Sequence, residues 1–172
     1  SPGFDLGLDR ICDGDIIMVS GSVGDHGISV LLAREQFGLR GDLNSDSASV
    51  LPLTQALTGM SGLRFMRDPT RGGLATVCHE LQRATRMGIR IQEAAIPINE
   101  SVQSVCDMLG YDPLFLACEG RVVAIVAPDQ AQQALQKWQA LPDGGNAAII
   151  GKLDASLSIV VLQTELGAER FL

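Results

Sequence analysis

The sequence predicts a mixed α/β fold of the α+β type, in which amphipathic helices cover a mixed, partly antiparallel sheet. Segments with helical periodicity alternate with short apolar segments typical of strands, which favours helices packed on a sheet. Glu119-Gly120 lies in the short connection between two of the strand-like segments. A separation this short favours a β-hairpin and therefore antiparallel neighbours. The 172 residues suit a single compact domain.

Three helices are predicted from apolar residues at i, i+3, i+4 and i+7. Their apolar stripes are Leu74, Val77, Cys78 and Leu81, then Val102, Val105, Cys106 and Leu109, then Ala131, Ala134, Leu135 and Trp138. We expect Gly88 and Gly110 to end the first two helices. Asn99 and Asp129 are the expected N-caps of the last two.

Two further helices and seven strands complete the expected order. The helices span about residues 26–37, closed by Gly38, and residues 52–57. The strands are short, largely apolar segments at 15–20, 63–67, 88–92, 114–118, 122–127, 147–151 and 158–162.

Charge argues against two classes of binding protein. Thirteen Lys and Arg against twenty Asp and Glu give a net charge of -7. Phosphate backbones and anionic lipids are held chiefly by positive charge, so we expect no nucleic-acid partner and no membrane partner. No apolar run is long enough to span a bilayer and no signal peptide is visible, which favours a cytoplasmic location.

The four cysteines, at positions 12, 78, 106 and 118, contain no C-x-x-C pair, and the chain has only two histidines. We therefore expect reduced thiols and no metal site. The chain opens at Ser1-Pro2-Gly3 without an initiator Met, which suggests a cut at a linker and a missing neighbouring domain.

A glycine-rich turn follows the first predicted strand and opens a helix. It reads Ser20-Gly21-Ser22-Val23-Gly24-Asp25-His26-Gly27. Glycines allow close backbone approach, and a helix N-terminus presents N–H groups to an anion. The spacing differs from the dinucleotide-binding fingerprint, so a plain strand-to-helix turn is favoured from the residues alone.

A second loop, Met66-Arg67-Asp68-Pro69-Thr70-Arg71-Gly72-Gly73, precedes the helix that contains Leu74. Thr70 can cap this helix, and Gly72 and Gly73 expose backbone donors. Arg71 can bind phosphate oxygens bidentately, and Asp68 can hold Mg²⁺ directly or through water. A phosphate-binding loop and an N-capped helix with a solvated arginine explain these residues equally well.

The third segment, residues 112–121, reads DPLFLACEGR. Glu119 ends its apolar run, and an acid partly shielded from water at such a position can act as a general base. A solvated hairpin tip is the favoured interpretation from the residues alone. Cys118 has no histidine within the segment to activate it, while Cys78 and Cys106 fit helix core positions.

These segments resemble the carboxy-terminal domain of the HypE family of hydrogenase maturation proteins, within the aminoimidazole ribonucleotide (AIR) synthetase superfamily. The resemblance is carried by GDIIMVSGSVGDHG, FMRDPTRGGLATVCHEL, IQEAAIPI and LGYDPLFLACEGRVVAIV, and it resumes at TELGAERFL. The specific part is MRDPTRGG with a later DPL and EG, whereas GDHG alone is weak.

The resemblance implies an ATP-dependent dehydratase that makes the cyanide ligands of NiFe hydrogenase. In that family HypF delivers a carbamoyl group to a carboxy-terminal cysteine, and ATP-driven dehydration leaves a thiocyanate. The cyano group then passes to iron on the HypC–HypD complex. The implied cofactors are ATP and Mg²⁺, and the full-length protein is implied to be a homodimer.

The resemblance also assigns roles to single residues. The match to the family's DPTRGG loop assigns contact with the ATP phosphates to Asp68, Thr70, Arg71, Gly72 and Gly73. Asp25, His26 and Gly27 match its GDHG turn and are assigned to the same nucleotide site.

Glu119 matches the glutamate of the family's ANEGK segment and is the implied general base, but the segment departs from the family pattern beside it. Cys118 stands where Asn is usual, and Arg121 stands where Lys is usual. These changes put the surroundings of Glu119 in doubt rather than Glu119 itself.

Two larger departures concern the ends of the chain. The family's Pro-Arg-Ile-Cys ending is absent, and no amino-terminal domain precedes Ser1. In the superfamily that domain completes the nucleotide cleft and forms the dimer. We therefore expect residues 1–172 to be one carboxy-terminal domain that is inactive alone.

Two alternatives remain open. The first is another ATP-using enzyme of the superfamily, such as a selenophosphate, thiamine-phosphate or AIR synthetase, although the linked IPI and DPL–EG segments argue against it. The second is a non-catalytic interaction module whose glycine loops are only turns.

Overall fold

The computed structural model describes residues 6–35 and 48–172. In this part of the chain seven strands form one sheet: β1 Ile16–Val19, β2 Leu63–Arg67, β3 Gly88–Gln92, β4 Val123–Val126, β5 Ala148–Asp154, β6 Val160–Gln163 and β7 Glu169–Phe171. The α-helices of the same part are α1 Asp25–Glu35, α2 Leu51–Leu57, α3 Gly73–Thr85, α4 Glu100–Leu109 and α5 Ala131–Gln139.

The strands lie in the order β2-β4-β1-β5-β3-β6-β7. All neighbouring strands are antiparallel except β3 and β6, which run parallel. The predicted mixed and partly antiparallel sheet is therefore confirmed. Strand β4 is buried along its whole length, as expected for a strand covered on both faces.

Helices cover both faces of the sheet because side chains of a strand alternate between faces. On one face the stripe of α3 packs with Ile17, Val19, Val123 and Ile125. On the other face α2 and α5 pack with Met18, Ala124 and Val126. Helices α1 and α4 form a smaller cluster through Ile28, Val102 and Cys106. The predicted core positions of the helices are thus largely buried.

The predicted hairpin around Glu119 and Gly120 is wrong. Residues 114–118 are not a strand, because Pro113–Phe115 forms a 3-10 turn in which the Asp112 side chain accepts a hydrogen bond from the Leu114 N–H at 3.0 Å. The antiparallel partners of β4 are β1 and β2 instead.

Several helix ends also differ from the prediction. Gly110 does end α4 in the left-handed region (φ 76°), but α3 ends at Thr85 and Arg86 takes that conformation (φ 58°). Gly88 instead begins β3, where a Cβ would lie 2.7 Å from the Ile159 carbonyl oxygen. Gln130 rather than Asp129 is the N-cap of α5, because residues 128–130 form a 3-10 turn before it.

Helix α1 and strand β7 also differ from the prediction. Helix α1 begins one residue before the predicted start, at Asp25, and its predicted end at Phe37 and Gly38 lies outside the described residues. The short exposed strand β7 was not predicted. In the described ranges no helix is both long and apolar enough to cross a membrane.

Candidate active site

The three segments singled out in the sequence meet around residues 116–119. The Gly27 N–H, in the first turn of α1, donates to the Ala117 carbonyl at 3.0 Å. The Cys118 N–H donates to the Pro69 carbonyl, also at 3.0 Å. Residues 116–119 therefore run between the glycine-rich turn and the DPTRGG loop, and they connect the two by backbone hydrogen bonds.

Two glycines make this close approach possible. A Cβ on Gly27 would lie 2.8 Å from the Leu116 Cβ, and one on Gly73 would lie 2.6 Å from the Leu114 carbonyl oxygen. Gly73 also has φ 62°, in the region that favours glycine. Gly73 is therefore buried against the neighbouring segment, so its role in packing is visible, while its contact with phosphate stays a prediction.

A cavity of about 430 Å³ opens beside Glu119. Asp68 and Thr70 of the DPTRGG loop line it together with Glu119, and apolar side chains such as Met66 and Val122 form part of its wall. The structure thus brings together predicted site residues that are about fifty positions apart in the sequence.

Glu119 lies beside His26. The His26 Nε2 is 3.4 Å from the Glu119 Oε1, with side-chain exposures of 21% and 45%. The apolar strand expected before Glu119 is absent, because Pro113–Phe115 forms a 3-10 turn, and the Glu119 carboxylate is partly exposed to solvent. Its surroundings are set by His26 and the cavity instead.

A buried polar network lies behind the glycine-rich turn, and we did not predict it. The Asp25 carboxylate, whose side chain is 5% exposed, accepts hydrogen bonds from Ser22 Oγ and Asn99 Nδ2. Arg121 donates from Nε to the Ser22 carbonyl at 2.9 Å, and its Nη2 lies 3.9 Å from the Asp25 carboxylate. Asp25 is therefore directed into the protein, where its hydrogen bonds secure the turn.

Asn99 illustrates why this network was missed. Its position at the start of α4 is as predicted, but its side chain makes no capping hydrogen bond and points to Ser22 and Asp25. Local spacing predicts caps, since capping partners lie within one turn. The residues near Asn99 in the sequence give no indication of its contacts with Ser22 and Asp25, which lie more than seventy positions away.

Burial argues against Cys78 and Cys106 as nucleophiles. Burial raises the pKa of the Cys78 thiol to about 12 and that of Cys106 to about 11, which keeps both protonated near neutral pH. Cys118 is also buried, and its sulfur accepts the Gly24 N–H at 3.4 Å. Cys118 thus helps to hold the glycine-rich turn.

The start of α3 presents an accessible surface for an anion. Thr70, the predicted cap, is exposed, and the N-cap is instead Gly72 (φ 72°), with no side-chain capping bond. Arg71 is exposed, and within the described ranges it has no ion pair or side-chain hydrogen bond. A free guanidinium beside an uncapped thirteen-residue helix fits the oxygens of a phosphate group.

The same loop fits Mg²⁺ only as part of a larger donor set. Asp68 and Thr70 supply oxygen atoms, which Mg²⁺ prefers. Among the residues that the structure describes, no group of three or more His, Cys, Asp and Glu side chains could hold a metal ion. An ion here would therefore need phosphate oxygens and water as further ligands.

The sequence profile of one known family spans most of this architecture. The profile described as AIR synthase related protein, C-terminal domain, matches residues 13–162, which include all three segments of the site. The chain belongs to the AIR synthase-related family. This AIR synthase-related domain is also 41% identical over 171 residues to the carbamoyl dehydratase HypE of Azotobacter vinelandii, covering 98% of the chain and 50% of that protein.

Solved structures agree with the sequence comparison. The crystal structure of Escherichia coli HypE matches the domain with a TM-score of 0.94 at 40% identity, covering 99% of the chain and 52% of that protein. HypE in a complex with HypF matches at 0.93 and 36% identity, covering 98% and 55%. HypE in complex with ATP matches at 0.90 and 37% identity, covering 97% and 52%. The AIR synthase-related domain therefore spans about half the length of these relatives.

Proposed function

We propose that this domain is the carboxy-terminal half of an ATP-dependent carbamoyl dehydratase that acts in hydrogenase maturation. The full-length protein would convert a carbamoylated terminal cysteine to a thiocyanate, the source of the cyanide ligands. The observation that carries the proposal is that Asp68 and Thr70 of the DPTRGG loop line one cavity together with Glu119. The glycine-rich turn lies against the same segment, through the hydrogen bond from Gly27 to Ala117 and the approach of His26 to Glu119. The 41% identity to a protein named carbamoyl dehydratase supports it.

The chemistry requires both a phosphate-binding loop and a base. An amide oxygen leaves poorly, and ATP supplies the phosphoryl group that makes it a leaving group. Formation of the C≡N bond also removes both protons from the nitrogen. Glu119, which lines the cavity, is the carboxylate that we assign to this proton removal.

The nucleotide site is assigned to the loop and to the turn on either side of Glu119. Thr70, Arg71 and Gly72 at the start of α3 would contact the ATP phosphates, and Gly73 would hold this loop against residues 114–116. Asp68 would hold Mg²⁺ with phosphate oxygens and water. The relative solved with ATP supports the nucleotide assignment.

The glycine-rich turn completes the assignment. Asp25, through its hydrogen bonds to Ser22 and Asn99, would maintain the turn. Gly27 would keep α1 against residues 116–117, which leaves His26 directed at Glu119.

The proposal includes partners and location. HypF would donate the carbamoyl group, as the HypE–HypF complex of a relative supports, and the HypC–HypD complex would accept the cyano group. The half of the relatives that this chain does not cover would complete the ATP site and form a homodimer. We place the protein in the cytoplasm.

The test is a dehydration assay on the complete gene product. After carbamoylation by HypF, addition of ATP should remove the mass of one water from the peptide that contains the terminal cysteine, as seen by mass spectrometry. A complete product without a terminal cysteine would contradict the proposal. ATP turnover that instead depends on a small-molecule acceptor would indicate another enzyme of the superfamily, and binding of partners without ATP turnover would indicate an interaction module.

A further inference from the structure

We propose that Arg121 is a positioning residue, which keeps Glu119 at the cavity by joining the segment that follows Glu119 to the glycine-rich turn. The proposal rests on the proposed function and deepens it, because Arg121 acts on the reaction only through the assigned base. The Arg121 side chain is 15% exposed and lies between the two segments.

The guanidinium of Arg121 makes two hydrogen bonds to one residue of the turn. Its Nε donates to the Ser22 carbonyl at 2.9 Å, and its Nη2 donates to the Ser22 Oγ at 3.3 Å. The same Nη2 lies 3.9 Å from the Asp25 carboxylate, whose side chain is 5% exposed. Hydrogen bonds from a charged donor are stronger than those between neutral groups. Arg121 therefore holds the turn from within the protein rather than from its surface.

The backbone beside Arg121 pairs with the same turn. The Ser20 N–H donates to the Val122 carbonyl at 2.9 Å, and the Val122 N–H donates to the Ser20 Oγ, also at 2.9 Å. These bonds continue the antiparallel contact of β1 and β4 beyond the last paired residues of the strands. Only Gly120, in the left-handed region with φ 71°, separates Glu119 from Arg121. Little free chain is therefore left between Glu119 and this junction.

Gly21 leaves the space that the guanidinium occupies. A Cβ at this position would lie 2.9 Å from the Arg121 Nε and 3.1 Å from its Cζ. The backbone of Gly21 does not take a positive φ, so the conformation alone does not require glycine here. The close approach of Arg121 does.

The chain on the other side of Glu119 is also held. The Cys118 N–H donates to the Pro69 carbonyl of the DPTRGG loop at 3.0 Å. The Glu119 side chain itself is 45% exposed, so burial does not fix the carboxylate. Its position depends on the backbone bonds before it and on Arg121 after it. A general base must lie within hydrogen-bond reach of its proton, and a displacement of about 1 Å can cost on the order of 10² in rate.

The test uses Arg121→Gln in the complete, HypF-carbamoylated protein. Gln is shorter, carries no charge and cannot form both bonds to Ser22. In a single turnover with ATP, the loss of water from the terminal peptide should slow on the order of tenfold or more. The ATP concentration that gives half of the maximal rate should not change. Arg121→Lys keeps the charge and a donor, so it should recover most of the rate.

A double-mutant cycle with Glu119→Gln tests whether Arg121 acts through Glu119. If it does, Arg121→Gln should slow a protein that already lacks the base by no more than about twofold. Arg83→Gln, at an exposed position in the last turn of α3, is the matched control and should change the rate in neither background.

A second variant keeps the test valid if Arg121→Gln does not fold, since that change leaves the buried Asp25 without its cation. Gly21→Ala crowds the guanidinium but retains its charge. It should slow the loss of water in the wild-type background and, like Arg121→Gln, have little further effect beside Glu119→Gln.

Three results would overturn the positioning role. Multiplication of the two rate losses in the double variant would show that Arg121 acts independently of Glu119. A slower reaction that saturating ATP restores would place Arg121 in nucleotide binding. An unchanged rate in a folded Arg121→Gln protein would show that the bonds to Ser22 do not matter for the reaction. Failure of the proposed function looks different, because the wild-type protein itself would then show no loss of water.

Discussion

Glu119 and Asp25 show how two carboxylates of one site acquire different roles from their surroundings. Glu119 is 45% exposed and lies beside a cavity and an imidazole, so its carboxylate is accessible from solvent. Asp25 is 5% exposed and accepts hydrogen bonds from two side chains, so it is held in place. The first arrangement suits proton transfer and the second suits support of the backbone.

The first prediction concerns Glu119→Gln in the full-length protein. Gln is nearly isosteric with Glu, so the fold and ATP binding should be retained while the base is lost. We expect dehydration of the carbamoylated cysteine to slow by about 10² to 10⁴, the usual contribution of a general base. Mass spectrometry of the terminal peptide after ATP addition measures this rate. Dehydration at the normal rate would show that Glu119 is only a loop residue.

The second prediction concerns Arg71→Lys. A guanidinium binds phosphate oxygens as a planar fork, which an ammonium group cannot reproduce. Because Arg71 is exposed and lacks an ion pair in the described ranges, the substitution should leave stability unchanged and weaken ATP turnover. Arg83→Lys, at an exposed position later in α3, is the matched control. Equal ATPase kinetics for the Arg71 variant and the wild type would exclude the phosphate role.

At the scale of elements, the site depends on how closely the start of α3 approaches residues 114–116. Gly73 is the residue at which this approach is tightest, since a Cβ there would meet the carbonyl oxygens of Leu114 and Leu116. The contact joins the phosphate-binding loop to the segment that carries Glu119. A substitution at Gly73 should therefore lower both the stability of the domain and the activity of the protein.

The third prediction is that Gly73→Ala lowers the free energy of unfolding by roughly 2–4 kcal/mol. The left-handed φ of 62° and the overlap with two carbonyl oxygens both contribute to this cost. Gly110→Ala has a similar φ of 76° but open space around its Cβ, so it should cost only about 1 kcal/mol. Urea unfolding of both variants measures the difference. If the two variants lose equal free energy of unfolding, the close approach of α3 to residues 114–116 does not contribute to stability.

The carboxy-terminal end of the central strand β5 supplies a pH-dependent contribution to stability. Asp154, at the end of β5, accepts hydrogen bonds from Ser156 and from Arg90 of β3, which lower its pKa from 3.8 to about 2. Because the pKa is lower in the folded state, the bonds stabilise the fold fully above the unfolded pKa. This contribution is lost as the pH falls from about 3.8 to about 2.

The fourth prediction follows from the lowered pKa of Asp154 in the folded state. Asp154→Asn should destabilise the domain at neutral pH, and the difference from the wild type should shrink as the pH falls below about 4 and disappear below about pH 2. Urea unfolding of both proteins across this pH range measures the difference. A difference that stays constant with pH would show that the charge of Asp154 does not matter.

At the scale of the whole molecule, the domain has a core on each face of its sheet but an open site. The two larger buried clusters include residues from all of the helices α2, α3 and α5 and from most strands. The cavity beside Glu119 opens to solvent, and the chain spans about half the length of its relatives. Folding and nucleotide binding should therefore be separable.

The fifth prediction is that residues 1–172 alone unfold in a single cooperative transition yet bind ATP weakly or undetectably. The core supports independent folding, whereas we assign part of the nucleotide site to the half that is not covered. Thermal unfolding tests the first statement, and calorimetric titration with ATP tests the second. Micromolar ATP affinity for this domain alone would contradict the split site.

The sequence by itself determined the features of this protein that are encoded within short continuous segments. Periodic apolar stripes predicted α3, α4 and α5, and short strand-like segments between the helices predicted β2 and β3 with their observed bounds. The DPTRGG loop, the GDHG turn and Glu119 were also recognisable, because each is a continuous segment.

The tertiary structure alone decided how these parts meet. Residues 114–118 have a strand-like composition, yet the Asp112 side chain and the contact with Gly73 hold them in a turn. The pairing of His26 with Glu119, and the network that links Asp25 to Asn99 and Arg121, join residues more than seventy positions apart. Such contacts depend on how helices and strands pack together, and no local spacing in the sequence records that packing.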